Sequence, residues 1–224
     1  MRYAITDIHG GNLTFQALLR KIDLRHSDRL FLLGDYVDRG PDSIGVLETI
    51  CTLMSAGYDI RPLRGNHDEM LLQTVVNNNY EYSESYYQAF GKNTLFTAGI
   101  NDFNSFPSKY LNLIESMPYI HVEPDYVFVH AGLNMKVSDP IKNTENIDMI
   151  WNRCNSVEIR KLGGRQLVTG HMIRMLDDIR RSICSAHICL DNGAFTRQQP
   201  EMGNLVALNL DTKELSIQPW CENK

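Results

Sequence analysis

The sequence predicts an α/β fold in which helices cover a parallel β-sheet. Three short predicted strands, at residues 2–6, 29–33 and 59–63, are each followed by a polar, glycine-containing segment and then by apolar residues at helical spacing. This alternation is typical of parallel sheets, because parallel strands need a crossover connection, which is usually a helix. Ligands of such sheets bind beyond the carboxyl ends of the strands. We therefore expect functional residues in the segments that follow these strands.

Helical spacing of apolar residues predicts one helix after each of these strands. The first helix, about 13–22, would be capped by Asn12. The second would begin at Asp42 or Ser43 and end near Gly57, where a glycine is well suited to a left-handed helix end. The third helix follows the third strand almost directly.

The pattern changes at residues 77–118, which are polar and rich in tyrosine. We expect an irregular, partly helical insertion there, lying over the strand ends, within a single domain that spans residues 1–224. A short helix is predicted near its end, at 107–117. Further strands are then predicted at 119–122, 126–129, 166–169, 182–190, 204–210 and 214–218.

Composition excludes several classes of protein. The chain has 224 residues, of which 43% are hydrophobic, so it can bury a substantial core. Its net charge of -5, without a block of lysine and arginine, argues against nucleic acid or an anionic membrane as the main partner. No apolar run approaches the roughly 20 residues of a membrane span, and the first residues lack the apolar core of a signal peptide. The five cysteines have no CxxC spacing, so we expect reduced thiols and a cytoplasmic location.

Six residues with metal-binding side chains follow predicted strands. They are Asp7, His9, Asp35, Asn66, His130 and His171. Carboxylate, imidazole and amide oxygen, without thiolate, suit manganese, iron or zinc. Each residue alone has an ordinary explanation as a turn, a cap or a structural histidine, but their joint occurrence at strand ends favours a shared site. Six ligands are too many for one ion with an open position, so we expect two ions bridged by a carboxylate, with Asp35 as the bridge.

Five short motifs occur in a fixed order along the chain. They are DIHG at 7–10, GDYVDRG at 34–40, GNHD at 65–68, HAG at 130–132 and GH at 170–171. Together they resemble the phosphoprotein phosphatase (PPP) family of metallophosphatases, and the compact length resembles its bacterial and phage members. The resemblance implies a metallophosphoesterase-like sandwich of two mixed β-sheets flanked by helices, with the active site at the C-terminal strand ends.

The resemblance also implies how the six ligands divide between two divalent ions. Asp7, His9 and Asp35 would bind the first ion. The second ion would be bound by Asp35, Asn66, His130 and His171. Manganese is expected first, with iron and zinc as alternatives, because these ligand types accept several ions.

Four further roles follow from the same resemblance. His67 would be the general acid, with Asp38 as its carboxylate partner. Arg39, Asn66 and Arg153 would bind the phosphate oxygens of the substrate. The assignment of Arg153 depends on a short motif, Trp-Asn-Arg.

The main hypothesis is metal-dependent hydrolysis of phosphomonoesters, as phosphoserine or phosphothreonine in a phosphoprotein or phosphopeptide, by direct attack of a hydroxide held between the two metal ions. The alternative is hydrolysis of dinucleotide polyphosphates such as diadenosine tetraphosphate, by a close branch of the superfamily whose central loop usually lacks a second aspartate. Asp38 therefore favours the phosphatase. A third hypothesis is an inactive module that binds phosphorylated partners. The chain has Asp68 where eukaryotic members usually have glutamate, and we expect little effect from this difference. It lacks their C-terminal aromatic motif, so no regulatory subunit is inferred.

Overall fold

A computed structural model describes residues 1–76, 84–153, 156–196 and 201–222. Strands and helices alternate through most of this length, as an α/β fold requires. The strands are β1 (Arg2–Ile5), β2 (Arg29–Leu32), β3 (Asp59–Pro62), β4 (Ile120–Val122), β5 (Tyr126–Val129), β6 (Gln166–Thr169), β7 (His187–Cys189), β8 (Asn204–Asn209) and β9 (Leu215–Pro219). The α-helices are α1 (Asn12–Lys21), α2 (Ser43–Ser55), α3 (Asn66–Val76), α4 (Lys92–Ala98), α5 (Ser108–Ser116), α6 (Pro140–Asn143), α7 (Asn146–Trp151) and α8 (Leu176–Ser182).

The strands form two mixed sheets. The first has the order β3-β2-β1-β8-β9, with β1 parallel to β2, β2 parallel to β3, and the remaining pairs antiparallel. The second has the order β4-β5-β6-β7, with only β4 and β5 antiparallel. The α/β sandwich of two mixed sheets flanked by helices, implied by the motifs, is therefore confirmed.

Residues 30–32 of strand β2 are buried on both faces, which explains their apolar sequence. Leu30 and Leu32 point towards helices α1, α2 and α3, where they join one hydrophobic cluster. Phe31 points the other way and stacks on Phe128 of the second sheet, with ring centroids 4.2 Å apart. The two sheets therefore pack face to face through β2 and β5, and their carboxyl ends come together at one edge of the sandwich.

Two local predictions were wrong in detail. Residues 182–190 do not form one long strand, because Leu176–Ser182 is a helix and the strand begins only at His187. Asn12 does not cap α1 but is its first residue, and its amide instead donates a hydrogen bond to Asp42 at 2.9 Å. Asp42 itself caps α2, since its carboxylate accepts from the Gly45 N–H.

The predicted insertion is helical where the structure describes it. Residues 77–83 of that range lie outside the described residues. The remainder contains a π-helix at Tyr87–Gly91, then α4, a 3₁₀ turn at Phe103–Ser105, and α5. Among the helices in the described ranges, none combines the length and apolar character needed to cross a bilayer.

Candidate metal centre

The six proposed ligands come from the strand ends of both sheets. Each lies within four residues of the carboxyl end of β1, β2, β3, β5 or β6. The structure brings all six together, and five of them line a cavity of about 230 Å³ together with Arg39 and Arg153. The sixth, His130, is completely buried behind it.

The backbone of this site is strained. Of nine non-glycine residues with positive φ in the described ranges, six belong to the predicted site. They are Asp7, His9, Asp35, Asp38, Arg39 and His171. Aspartate and histidine tolerate this left-handed region better than most residues, yet each instance still costs on the order of 1–3 kcal/mol. Such strain is retained only where the surrounding structure holds it.

Asp68 holds the strained loop after β2. Its buried carboxylate accepts three backbone N–H bonds, from Asp35 at 2.8 Å, Tyr36 at 3.0 Å and Gly65 at 2.9 Å. Gly65 also permits close approach, because a Cβ at that position would lie 2.2 Å from the Asp35 carboxylate. The sequence analysis treated Asp68 only as a departure from a family pattern and missed this bracing role.

Asp35 occupies the centre of the cluster. Its Oδ1 lies 3.5 Å from the Nε2 atom of His130, and its Oδ2 lies 3.5 Å from the Nε2 atom of His9. Oδ1 also accepts a hydrogen bond from the His67 backbone N–H at 3.0 Å. Each carboxylate oxygen thus faces a different histidine, which is the arrangement a bridging ligand needs.

Two of the histidines are held in a defined tautomer by backbone carbonyl groups. The Nδ1–H of His9 donates to the Val37 carbonyl at 3.0 Å, and that of His130 donates to the Leu33 carbonyl at 2.8 Å. Burial lowers the pKa of both imidazoles well below the ordinary value, so both rings are neutral. Each Nε2 atom therefore presents a lone pair to the centre, as metal-ligating histidines do.

A second group of lone pairs meets at Asn66. Its Oδ1 atom lies 2.9 Å from the Nε2 of His130 and 3.1 Å from the Nδ1 of His171. Since the Nε2 of neutral His130 carries no proton, its contacts with Asn66 and Asp35 place lone pairs against lone pairs. A cation between these atoms resolves the conflict, so the donor set fits a metal ion on this side as well.

The carboxylates at the centre also require positive charge. Burial, and next to it the neighbouring carboxylates, raise the pKa of Asp7 and of Asp35 well above the ordinary value. Asp7 lies 3.9 Å from the Nε2 of His9 through Oδ1, and its Oδ2 accepts from the His171 backbone N–H at 3.0 Å. Two ionised carboxylates this deeply buried are stable only beside cations.

His67 and Asp38 form the predicted pair. The Nδ1–H of His67 donates to Asp38 Oδ2 at 2.6 Å, and Asp38 is fully buried. The other carboxylate oxygen accepts from the Tyr86 hydroxyl at 2.8 Å and from the Thr94 hydroxyl. Tyr86 and Thr94 belong to the tyrosine-rich insertion, so that segment supports the His67–Asp38 pair directly. The sequence analysis missed both residues, because neither belongs to a motif.

Two arginines line the cavity. The Arg39 guanidinium lies over the ring of Phe90 at 4.3 Å and that of Phe195 at 5.1 Å. Arg153 lines the cavity beside His171, and its positive charge adds to burial in lowering the pKa of His171 to about 4. Both guanidinium groups are therefore placed to bind an anion in front of the carboxylate cluster.

Some other cavity residues were not identified from the sequence. Phe90 and Phe195 belong to no motif. Asp191 is a buried carboxylate in the cavity wall; burial raises its pKa to about 6, and its Oδ1 accepts from the Gly193 N–H at 2.7 Å. Its position after β7, a strand end like the others, was the available signal.

Comparisons with known proteins agree with this chemistry. Residues 3–191 match the family model for calcineurin-like phosphoesterases. The symmetrical bis(5'-nucleosyl)-tetraphosphatase of Nitrosomonas europaea is 35% identical over 132 residues, which are 58% of this chain and 44% of that protein. The chain thus spans less than half the length of this curated relative.

Solved structures share the fold over the whole chain. A crystal structure assigned as a diadenosine tetraphosphatase superposes with a TM-score of 0.70, at 22% identity, over 99% of this chain and 94% of that one. A serine/threonine phosphatase from Saccharomyces cerevisiae gives a TM-score of 0.63, at 16% identity, over 100% and 81%. At these identities the likeness concerns the fold alone.

The expected phosphoserine or phosphothreonine substrate, and with it the phosphoprotein partner, is wrong. The curated relative from Nitrosomonas europaea is named for dinucleoside tetraphosphates, which favours the alternative. Asp38 was the reason for preferring the phosphatase, but its carboxylate contacts His67, Tyr86 and Thr94 and is fully buried. Asp38 does not line the cavity, so its presence gives no direct information about the group attached to the phosphate.

Replacing the central carboxylate should separate metal binding from folding. We expect metal-free Asp35→Asn to unfold at a higher temperature than metal-free wild type near pH 7.5, because the amide removes a buried charge. A carboxylate with a raised pKa destabilises the fold increasingly as pH rises above its ordinary range, so this advantage should shrink towards pH of about 4. Thermal unfolding measures it.

Adding a divalent ion provides the second half of this test. An ion at about 100 times its dissociation constant stabilises a protein by about 2.7 kcal/mol. The free energy of unfolding of the wild type should rise by about this amount, and that of Asp35→Asn should change little. Asp177→Asn, at an exposed carboxylate on α8, should respond as the wild type does. Equal rises in Asp35→Asn and the wild type would contradict Asp35 as a ligand.

Removing the Tyr86 hydroxyl should weaken the His67–Asp38 pair, because Asp38 loses a hydrogen bond. We expect Tyr86→Phe to lower the turnover of a small aryl phosphate by about tenfold, since a hydrogen bond to a charged group contributes roughly 1.5–3 kcal/mol. Metal content should not change, because Tyr86 touches no proposed ligand. Tyr87→Phe makes the same chemical change one residue away and serves as the control. The idea fails if both variants retain full turnover.

Proposed function

This chain belongs to the calcineurin-like phosphoesterase family, and we propose that it hydrolyses dinucleoside polyphosphates, of the bis(5'-nucleosyl) tetraphosphate type, at the cavity beside Asp35. The observation that carries the proposal is the meeting of carboxylate, imidazole and amide lone pairs around Asp35, next to the His67–Asp38 pair. The substrate class is supported by the name of the curated relative, of which this chain spans 44%.

Two divalent ions fit the proposed ligands. Asp7, His9 and Asp35 would hold one ion, and Asp35, Asn66, His130 and His171 the other. When bound, such a pair neutralises phosphate charge and lowers the pKa of water towards neutrality. Manganese is our first candidate, and iron and zinc suit the same nitrogen and oxygen atoms.

Arg39 and Arg153 bind the polyphosphate. A guanidinium matches the geometry of phosphate oxygens and keeps its charge at any physiological pH. Arg39 lies against Phe90 and Phe195, so little side-chain freedom remains to be lost when an anion binds. Asn66 also lines the cavity, and its amide N–H group would contribute a neutral donor to the same oxygens.

His67 supplies a proton to the leaving group. Its Nδ1–H is directed to Asp38, which leaves Nε2 for the cavity that His67 lines. In the proposed reaction, a water oxygen forms a bond to one inner phosphorus and releases one proton to solvent, from which His67 later regains the proton that it donates. The bond from this phosphorus to the central bridging oxygen breaks. That oxygen leaves on the second nucleoside diphosphate and takes the proton from His67. Asp38 orients the imidazole and stabilises its charged form.

Product analysis tests the proposed substrate. With metal-stripped protein to which manganese, magnesium, zinc or no ion is added, we expect diadenosine tetraphosphate to give ADP as its only nucleotide product, and only with an ion present. Phosphate release from a phosphopeptide should be much slower. Separation of nucleotides by chromatography distinguishes ADP from an AMP and ATP pair, which would mean asymmetric cleavage. Phosphopeptide binding without any turnover would instead support an inactive binding module.

Replacing His67 should affect substrates according to their leaving groups. General acid catalysis contributes roughly 10²–10⁴-fold, and we expect His67→Asn to lose most with phenyl phosphate, whose leaving oxygen is basic. The loss should be smaller with diadenosine tetraphosphate, because a phosphate leaving group needs less help from a proton. Turnover of both substrates by the metal-loaded variant measures this difference.

The control for this variant is His26→Asn, because His26 stacks on Tyr58, with ring centroids 4.0 Å apart, outside the cavity. It should match the wild type on both substrates. The metal content of His67→Asn should also match that of the wild type, because His67 pairs with Asp38 and is not a proposed ligand. Equal losses of turnover on the two substrates would contradict a role for His67 as the acid. Loss of metal from the variant would indicate that His67 is itself a ligand, which its short distances to His9 and Asp35 allow.

A further inference from the structure

Aromatic side chains lie at both ends of the catalytic cavity. The ring of Phe90 lies 4.5 Å from that of His67, and the ring of Trp151 lies 6.0 Å from that of His171. All four residues line the cavity. His67 follows a strand of the first sheet, and His171 follows a strand of the second. The two aromatic residues therefore approach the cavity from different elements.

The contacts between these residues form one continuous series. From the Phe90 end, the ring of His67 lies 4.8 Å from that of His9, which faces one oxygen of Asp35. From the Trp151 end, the ring of His171 lies 5.1 Å from that of His130, which faces the other oxygen. Asp35 is therefore the middle of the series, and the two aromatic residues are its ends.

The Trp151 end presents an apolar surface to solvent. Trp151 is 41% exposed and Ile173 is 39% exposed, although both line the cavity. Arg153 lies in the same wall. An exposed indole beside a guanidinium at a cavity mouth offers a flat apolar face next to a group that binds phosphate.

The Phe90 end continues into a second cavity. This cavity has a volume of about 410 Å³, and Phe90 forms part of its wall as well as part of the first cavity's wall. Phe96 and Lys92, both on α4, line it. Phe96 is 81% exposed, so nearly all of its ring faces solvent. The end of the site nearest His67 thus also combines an open aromatic ring with a cation.

We propose that Trp151 and Phe96 each bind one nucleobase of the dinucleoside polyphosphate, by stacking, at the two ends of the site. This inference rests on the proposed function and adds to it the residues that recognise the two nucleosides. Base stacking on an aromatic ring accepts any base, because every base has a π face. One stacking surface at each end would hold a substrate with two like halves so that its central phosphates lie over Asp35.

Kinetics on two substrates test this arrangement. Trp151→Ala and Phe96→Ala should each raise the KM for diadenosine tetraphosphate by about tenfold, in line with the loss of one stacked base, with a much smaller change in kcat. The rise in KM for a small aryl phosphate, which has no base, should be far smaller. Trp151→Phe and Phe96→Trp keep a ring and should retain most of the affinity.

A matched control is Val122→Ala, at an exposed apolar residue of β4 that lines neither cavity. It should behave as the wild type on both substrates. The inference is overturned if both alanine variants keep the wild-type KM for diadenosine tetraphosphate, or if they lose affinity for the aryl phosphate to the same degree, since the role is then structural.

Fluorescence gives a readout that does not depend on hydrolysis. The chain has two tryptophans, and the ring of Trp220 packs against Gly11, so Trp151 is the one at the cavity. ADP should quench fluorescence in the wild type and much less in Trp151→Phe, whereas pyrophosphate should quench neither. If diadenosine tetraphosphate is not hydrolysed but this quenching occurs, the proposed function is wrong and the binding of a nucleobase by Trp151 is supported. Hydrolysis without quenching by ADP overturns the Trp151 surface and leaves the function intact.

Discussion

The concentration of lone pairs and buried carboxylates around Asp35 is the constraint on which the rest of the site depends. Asp35 faces His9 through one oxygen and His130 through the other, and Asp7 lies close to the same histidines. Without a cation this arrangement is electrostatically unfavourable, because burial raises the pKa of both carboxylates while the imidazoles stay neutral. A protein retains such a cluster only if something else in the fold holds it in place.

Several features of the fold supply that support. Carbonyl groups of the adjoining loops fix the histidine tautomers. Asp68 binds two backbone N–H groups of the Asp35 loop and that of Gly65 after β3, and the strained residues lie between strands and helices. Strain of this kind is expected where a site is built before its ligand arrives. The two sheets contribute different ligands, so their packing through Phe31 and Phe128 also sets the geometry of the site.

The tyrosine-rich insertion has two roles in this picture. Its buried residues, Tyr86 and Thr94, hold Asp38 in the interior, while its exposed residue Phe96 opens a second cavity beside the first. The His67–Asp38 pair, proposed to act on phosphate, is therefore supported by the same segment that borders the cavity proposed for a nucleobase. This explains why motifs for phosphate chemistry alone pointed to the wrong substrate. They describe the proposed metal ligands and the proposed acid, and both are compatible with several groups attached to the phosphate.

The sequence by itself determined the fold class and collected the candidate ligands, because short apolar runs followed by Asp, His or Asn are local patterns, and parallel strands place their carboxyl ends at one edge. It also paired His67 with Asp38 through a resemblance between motifs. Only the tertiary structure decided what surrounds these residues. Tyr86, Thr94, Phe195 and Asp191 lie far from the ligand motifs along the chain, and they reach the site through long-range packing that no local pattern records. The same holds for Asp68, whose role depends on three N–H groups that become neighbours only when the loops after β2 and β3 pack together.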